Sequence, residues 1–210
     1  MIPLLQNFKT VLLADGSFPE HAIPLSFLQK AERIICCDGA AENLLQYGLE
    51  PDYIVGDLDS LSDTLKKRFS PTLFHNPDQE TNDLTKSVAF CSDRQWNEVT
   101  ILGASGKRED HTLGNLSLLT DYAEKIKVQL LTDYGVFVPQ LESTSYESYP
   151  GQQISIFSLT PATVLTTHRL LYPLEKRRLS SWWQGTLNEA EADFFTIEMT
   201  EGKLLVFRNY

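Results

Sequence analysis

The chain has 210 residues, enough to bury a real core in one large domain or two small ones. Its 42% hydrophobic and 22% charged content is that of a globular protein, and its longest apolar runs fall far short of a membrane span. A formal net charge of −10 argues against a nucleic-acid partner, which would need a basic face, and suits a protein that holds metal ions or attracts a cationic small molecule.

The first residues, Met1 to Lys9, lack the basic start and small-residue cleavage site of a signal peptide, so a cytoplasmic location is expected. Thr10 to Ala14 reads as a buried strand stopped by Asp15-Gly16, and Ile23 to Ala31 as a helix with Pro24 in its first turn. Arg33 to Cys37 is a second strand, closed by Asp38-Gly39. Its two cysteines and Cys91 form no even framework and no CxxC pair, and they read as buried thiols. A helix from Ala40 to Tyr47 ends at Gly48, and Tyr53-Ile54-Val55 is a third strand ending at Gly56. Leu61 to Phe69 is helical, Thr72 to His75 a short strand, Leu84 to Ser92 a helix and Glu98 to Leu102 a strand. Asp110 to Tyr122 is a helix with Leu113, Leu116 and Leu119 on one side, and Lys127 to Leu131 closes the series. Beyond Tyr134, helical periodicity gives way to short strand-like runs at 136–138, 153–157, 162–165, 194–197 and 204–207. The expected fold is α/β plus all-β. Residues 1–134 form a doubly wound, mostly parallel sheet with flanking helices, and 135–210 an antiparallel β-sandwich.

Asp15, Asp38, Asp57, Asp59 and Asp78 each follow the carboxyl end of a predicted strand, the edge where open α/β sheets bind ligands. Like charges packed there repel, and a divalent cation would relieve that cost. Three stretches carry the chemistry. Gly56-Asp57-Leu58-Asp59-Ser60 presents two carboxylates on a turn. Asn76 to Lys86 leads into a helix that Thr81 or Asn82 can cap, so Asp83 is either a first-turn acid or a third ligand for one or two Mg²⁺ ions. Gln79 and Lys86 could contact phosphate there, a solvated helix face being the other reading of Lys86. Gly103 to His111 is a glycine-rich strand-to-helix loop suited to phosphate but matching neither GxxxxGK[ST] nor GxGxxG. Arg108 can clamp a phosphate, and His111 shares a helix face with Asn115.

Taken in order, these three stretches resemble the motifs of thiamine pyrophosphokinase. In the tail, Leu170-Leu171-Tyr172-Pro173-Leu174 looks like that family's GLKYPL segment, and Thr186-Leu187-Asn188-Glu189 like its SNE segment. The resemblance implies transfer of pyrophosphoryl from Mg·ATP to the thiamine hydroxyl, releasing AMP. It implies that Asp57, Asp59 and Asp83 are the catalytic, Mg²⁺-binding acids. Gln79, Lys86, Arg108, Asp110, His111 and Asn115 would lie around the nucleotide, and Tyr172 and Asn188 in the thiamine pocket. It further implies a homodimer with sites shared between subunits. Other readings of the acids are a Mg²⁺- or Mn²⁺-dependent phosphohydrolase and a non-catalytic nucleotide or thiamine sensor. The chain departs from the pattern at Lys107, where GGR is common, at Arg169, where glycine is usual, at Leu171, and at Thr186-Leu187. Trp182-Trp183 reads as an apolar dimer surface rather than a stacking platform.

Overall fold

The computed structural model describes residues 1–210, which divide into two compact units. One comprises Phe8–Leu118 and Glu124–Asp133; the other comprises Met1–Asn7, Leu119–Ala123 and Tyr134–Tyr210. No helix is long and apolar enough to cross a membrane.

In the first unit the strands are β1 (Thr10–Leu13), β2 (Arg33–Cys37), β3 (Tyr53–Gly56), β4 (Leu73–His75), β5 (Glu98–Leu102) and β6 (Lys127–Leu131). Every residue of β1 is buried, and only the first residue of β2, β3, β5 and β6 escapes burial. Strands without polar alternation must be covered on both faces, which a parallel sheet between helices achieves. The sheet is parallel throughout, in the order β6-β5-β1-β2-β3-β4. The helices are α1 (Ala22–Lys30), α2 (Ala40–Tyr47), α3 (Asp63–Arg68), α4 (Asp83–Asp93) and α5 (Glu109–Ala123), the last of which passes into the second unit at Leu119, and α4 packs across β3, β2 and β1. From β1 the chain steps outward to β4, then returns to β5 on the other side of β1. The direction of winding therefore reverses between β1 and β5, and a crevice opens at their carboxyl ends.

Helix ends follow local chemistry. Gly48 closes α2 in the left-handed region (φ 93°), with its N–H returning to Leu44 and Leu45. Asn82 caps α4, its side chain accepting from the Thr85 N–H at 2.8 Å. The leucine face expected for α5 is only partly inward: Leu119 is buried but Leu113 is 51% exposed. Over its first turns α5 instead turns His111, Gly114 and Asn115 toward the ligand-binding edge, so Leu113 falls off the inward face.

The second unit contains β7 (Gly135–Gln140), β8 (Thr144–Glu147), β9 (Gln153–Ser158), β10 (Leu165–His168), β11 (Asn188–Glu189), β12 (Phe194–Met199) and β13 (Leu204–Asn209). Its strands pair antiparallel in the orders β11-β9-β13-β7 and β10-β12-β8. Burial alternates along β9 and β12, as half-buried strands require. The strand expected at 162–165 begins only at Leu165, because Thr160–Thr163 closes a turn through a 3.0 Å backbone bond. β8 has one buried residue, Tyr146, and β11 is two residues long, so neither has a legible period.

A buried cation holds the N-terminal segment to this unit. Arg208 is fully buried and donates to the carbonyls of Glu147 (3.0 Å), Pro3 (3.1 Å) and Leu4 (2.9 Å), with Tyr146 under its guanidinium. Burial lowers its pKa to about 10. Beside it, Gln140 accepts from the Tyr146 hydroxyl at 2.8 Å and donates to the Ile197 carbonyl at 3.1 Å, tying β7 to β8 and β12.

Candidate active site

The loops after β1 to β5 surround a cleft of about 600 Å³ at the carboxyl edge of the parallel sheet. Gly56 organises its acidic wall. A Cβ there would stand 3.1 Å from the Cβ of Asp38 and 3.2 Å from the carboxyl of Asp83, so a side chain at this position would crowd both acids. The chain then turns through Leu58, a buried side chain in the left-handed region (φ 62°), which places Asp57 and Asp59 side by side. The Asp59 N–H donates to Asp57 Oδ1 at 3.3 Å, the main reason the Asp57 pKa lies below the ordinary value; Gln79 and Lys86 act in the same sense.

Asp38, Asp57 and Asp59 bring carboxylate oxygens within 4.8 Å of one another. Asp38 follows β2 in the left-handed region (φ 41°) and is 3% exposed. Its Oδ2 accepts from the Ser60 N–H at 3.2 Å, whereas its buried Oδ1 has no hydrogen-bond partner. Burial raises its pKa. A hard, oxygen-only donor set with an orphaned buried oxygen fits a divalent cation such as Mg²⁺. Asp57 and Asp59 of the expected metal trio cluster with Asp38, and Asp83 lies next to them, its Oδ1 3.0 Å from Lys86 Nζ, which is in turn 3.9 Å from Asp57. The one available signal for Asp38 was its place after a buried strand.

Lys86 is not a solvated residue. Its side chain is 2% exposed, 3.0 Å from Asp83 and 3.9 Å from Asp57, so it neutralises part of this wall. Because Asn82 serves as the α4 cap, Asp83 is left to face Lys86 and the cleft. Gln79 donates to Asp57 Oδ2 at 3.3 Å. Asp78 has another task, accepting from the Thr81 hydroxyl (2.6 Å) and the Glu80 N–H (3.0 Å) to fold the turn before α4.

The opposite wall is the loop from Gly103 to His111. Gly103 and Gly106 are left-handed (φ 65° and 76°), and so is Lys107 (φ 58°), despite its side chain. A Cβ on Gly106 would fall 2.1 Å from Ser17 Oγ, so this loop and the one after β1 meet with no room for a side chain between them. Lys107 donates to the Asp15 carbonyl (3.1 Å) and carboxylate (2.9 Å). Arg108 grips Asp110 through two bonds of 3.1 and 2.5 Å, which holds the Asp110 pKa at about 2. Asn115 donates to the Ala104 carbonyl at 2.9 Å and accepts from Asn82 at 3.2 Å, joining the starts of α4 and α5. His111 lines the cleft beside them.

Tyr172 and Asn188 lie in the second unit, where they line a pocket of about 340 Å³ with Arg177, Trp183 and Gln184. Asn188 is 6% exposed and committed to backbone: it accepts from the Tyr172 N–H (3.0 Å) and donates to the Tyr172 carbonyl (2.7 Å). It positions Tyr172, whose ring is 64% exposed. Gln184 shapes the wall by accepting from the N–H groups of Ser180 (2.8 Å) and Ser181 (3.1 Å). The tryptophan pair divides. Trp182 packs edge-on against Phe157, 6.0 Å between centroids, whereas Trp183 is 74% exposed at the pocket. Arg169 and Leu187, two departures from the expected motif, are left-handed (φ 62° and 59°), so the backbone keeps a turn that smaller residues adopt more easily. Arg169 is held by stacking on Phe194 at 3.8 Å.

Two family models match the chain: the thiamin pyrophosphokinase catalytic domain over residues 25–130 and the thiamin pyrophosphokinase substrate-binding domain over residues 135–207. The chain belongs to the thiamin pyrophosphokinase family. It is a thiamine diphosphokinase, an enzyme of thiamine diphosphate formation. Among curated relatives, thiamine pyrophosphokinase 1 of Oryza sativa subsp. japonica is 26% identical over 200 residues, covering 81% of this chain and 75% of that protein. Thiamine pyrophosphokinase of Bacillus subtilis is 28% identical over 130 residues, covering 59% of this chain and 60% of that protein. The fold is that of the solved B. subtilis thiamine pyrophosphokinase (TM-score 0.78, 22% identity, 96% and 99% of the two chains). It is shared by the Candida albicans thiamin pyrophosphokinase (TM-score 0.79, 17% identity, 100% and 92%).

Proposed function

We propose that this thiamin pyrophosphokinase uses the 600 Å³ cleft to bind Mg·ATP and passes an intact pyrophosphoryl group to the thiamine hydroxyl, releasing AMP. The observation that carries this reading is the pairing, on one sheet edge, of an oxygen-only acid cluster with a loop wall bearing Lys107 and Arg108. Asp38, Asp57 and Asp59 would hold Mg²⁺, with Asp83 beside them; bound there, the ion neutralises charge that spreads over the phosphates. Lys86, fixed by Asp57 and Asp83, supplies a cation to the same region, and Arg108 offers a guanidinium fork to phosphate oxygens. Gln79, Asp110, His111 and Asn115 order the loops around the nucleotide. Asp59 or Asp83 accepts the hydroxyl proton. Attack at phosphorus asks little covalent help of the protein, so placement and charge are its main contribution.

The thiamine pocket is assigned to Tyr172, held by Asn188, with Trp183 as a second aromatic face for a cationic heterocycle. The working form is a homodimer. Incubation of the protein with ATP, Mg²⁺ and thiamine tests the reading: AMP and thiamine diphosphate are expected in equal amounts, and only when thiamine is present. ADP or phosphate without thiamine would indicate a phosphohydrolase, and binding without AMP a sensor. Tyr172→Ala is expected to raise the thiamine KM about fivefold, with the ATP KM unchanged, since an aromatic face under a cation is worth roughly 1 kcal/mol. An unaltered thiamine KM would clear Tyr172 of that role.

A further inference from the structure

Three cations line the cleft, and each is held by a carboxylate, but they are held differently. Lys86 is enclosed, and Arg108 is clamped by Asp110 two residues away. Lys107 reaches across from the loop before α5 to Asp15 after β1, 92 residues earlier, with both side chains near half exposed (52% and 44%). We infer that Lys107 is an exchangeable phosphate contact, a cation that leaves Asp15 for the polyphosphate of the nucleotide donor. The inference rests on the proposed nucleotide cleft and adds to it a residue that the motif reading did not include.

The energetics favour the exchange. An ion pair this exposed contributes little net stability, so releasing it costs little. A polyphosphate entering a cleft lined by Asp15, Asp38, Asp57 and Asp83 brings several more negative charges, and an ammonium at the rim gains from every one of them. Asp15 does not depend on Lys107 for its place, because Asn43 also donates to its Oδ1 at 3.2 Å. Backbone conformation points the same way. A non-glycine residue at φ 58° is strained, and lysine, unlike asparagine, has no short side chain to hydrogen-bond locally there. What lysine brings to this position is reach and charge.

The test measures equilibrium binding of a non-hydrolysable ATP analogue with Mg²⁺, alongside the ATP and thiamine KM values. Lys107→Met is expected to weaken analogue binding about tenfold, as loss of one charge-assisted contact, with a shallower dependence on salt and an unchanged thiamine KM. Lys107→Arg should bind within about threefold of the parent. Lys107→Gly separates charge from backbone: it should raise the unfolding midpoint yet bind as weakly as Lys107→Met. Asp15→Asn, which frees Lys107, should bind the analogue at least as tightly as the parent. Undiminished binding by Lys107→Met or Lys107→Gly overturns the inference. Equal weakening by Asp15→Asn and Lys107→Met also overturns it, since the pair would then be a strap between loops. Either failure leaves thiamine-dependent AMP formation by the parent enzyme untouched.

Discussion

Asp59→Asn is expected to reduce thiamine-dependent AMP formation by about 10³-fold or more while leaving the protein folded, because a neutral amide removes one anionic oxygen from the cluster proposed to hold the metal. Asp59 is the cleanest place to ask the question. Its side chain is exposed, and its backbone N–H, which orders Asp57, survives the change. Unfolding in urea should therefore move by no more than about 0.5 kcal/mol, the usual range for an exposed site. Asp83→Asn should also abolish turnover, but less informatively. It leaves the nearly buried Lys86 with only the 3.9 Å contact to Asp57, so a stability loss accompanies the catalytic one. Full activity in both variants, measured as AMP released per thiamine consumed, would remove the acid cluster from the mechanism.

The second large effect is on stability. Arg208→Met should destabilise the protein by about 4 kcal/mol, read as a lower urea midpoint at unchanged slope. Two opposing terms decide the sign. Burying a guanidinium is costly, as its lowered pKa and the unpartnered Nε show, and a hydrophobic replacement removes that cost. Against this, the part-buried carbonyls of Glu147, Pro3 and Leu4 would each lose a charged donor, at about 1.5–3 kcal/mol per bond. Three lost charge-assisted bonds outweigh one relieved cation. Residues 1–7 should become protease-sensitive in the same variant, although Ile2 keeps its backbone bonds to Ser145 (2.7 Å) and Glu147 (3.0 Å). An unchanged midpoint would mean that the guanidinium contributes nothing net to holding the N-terminal segment.

Strand composition and local chemistry make much of this protein legible in its sequence. The apolar runs of β1, β2, β3, β5 and β6 have no polar alternation because both faces are covered, so a doubly wound sheet and its acid-bearing edge could be read directly. Gly48, and the pair Thr81-Asn82 from which the structure selects Asn82, announced helix ends through φ tolerance and side-chain capping, which depend on neighbours in sequence. The short, polar β8 and two-residue β11 carried no such signal, since their partners alone make them strands.

Site composition divides along the same line. Asp57, Asp59 and Asp83 stood out because their motifs are local. Only the folded chain could decide that Asp38 closes the cluster with Asp57 and Asp59, that Lys86 is enclosed, and that Lys107 reaches Asp15. Those relations join loops from different strands, and they turn on close approach, such as the missing Cβ at Gly56, and on loss of water around particular atoms. Neither quantity is written in the order of residues; both arise when the strands take their places in the sheet.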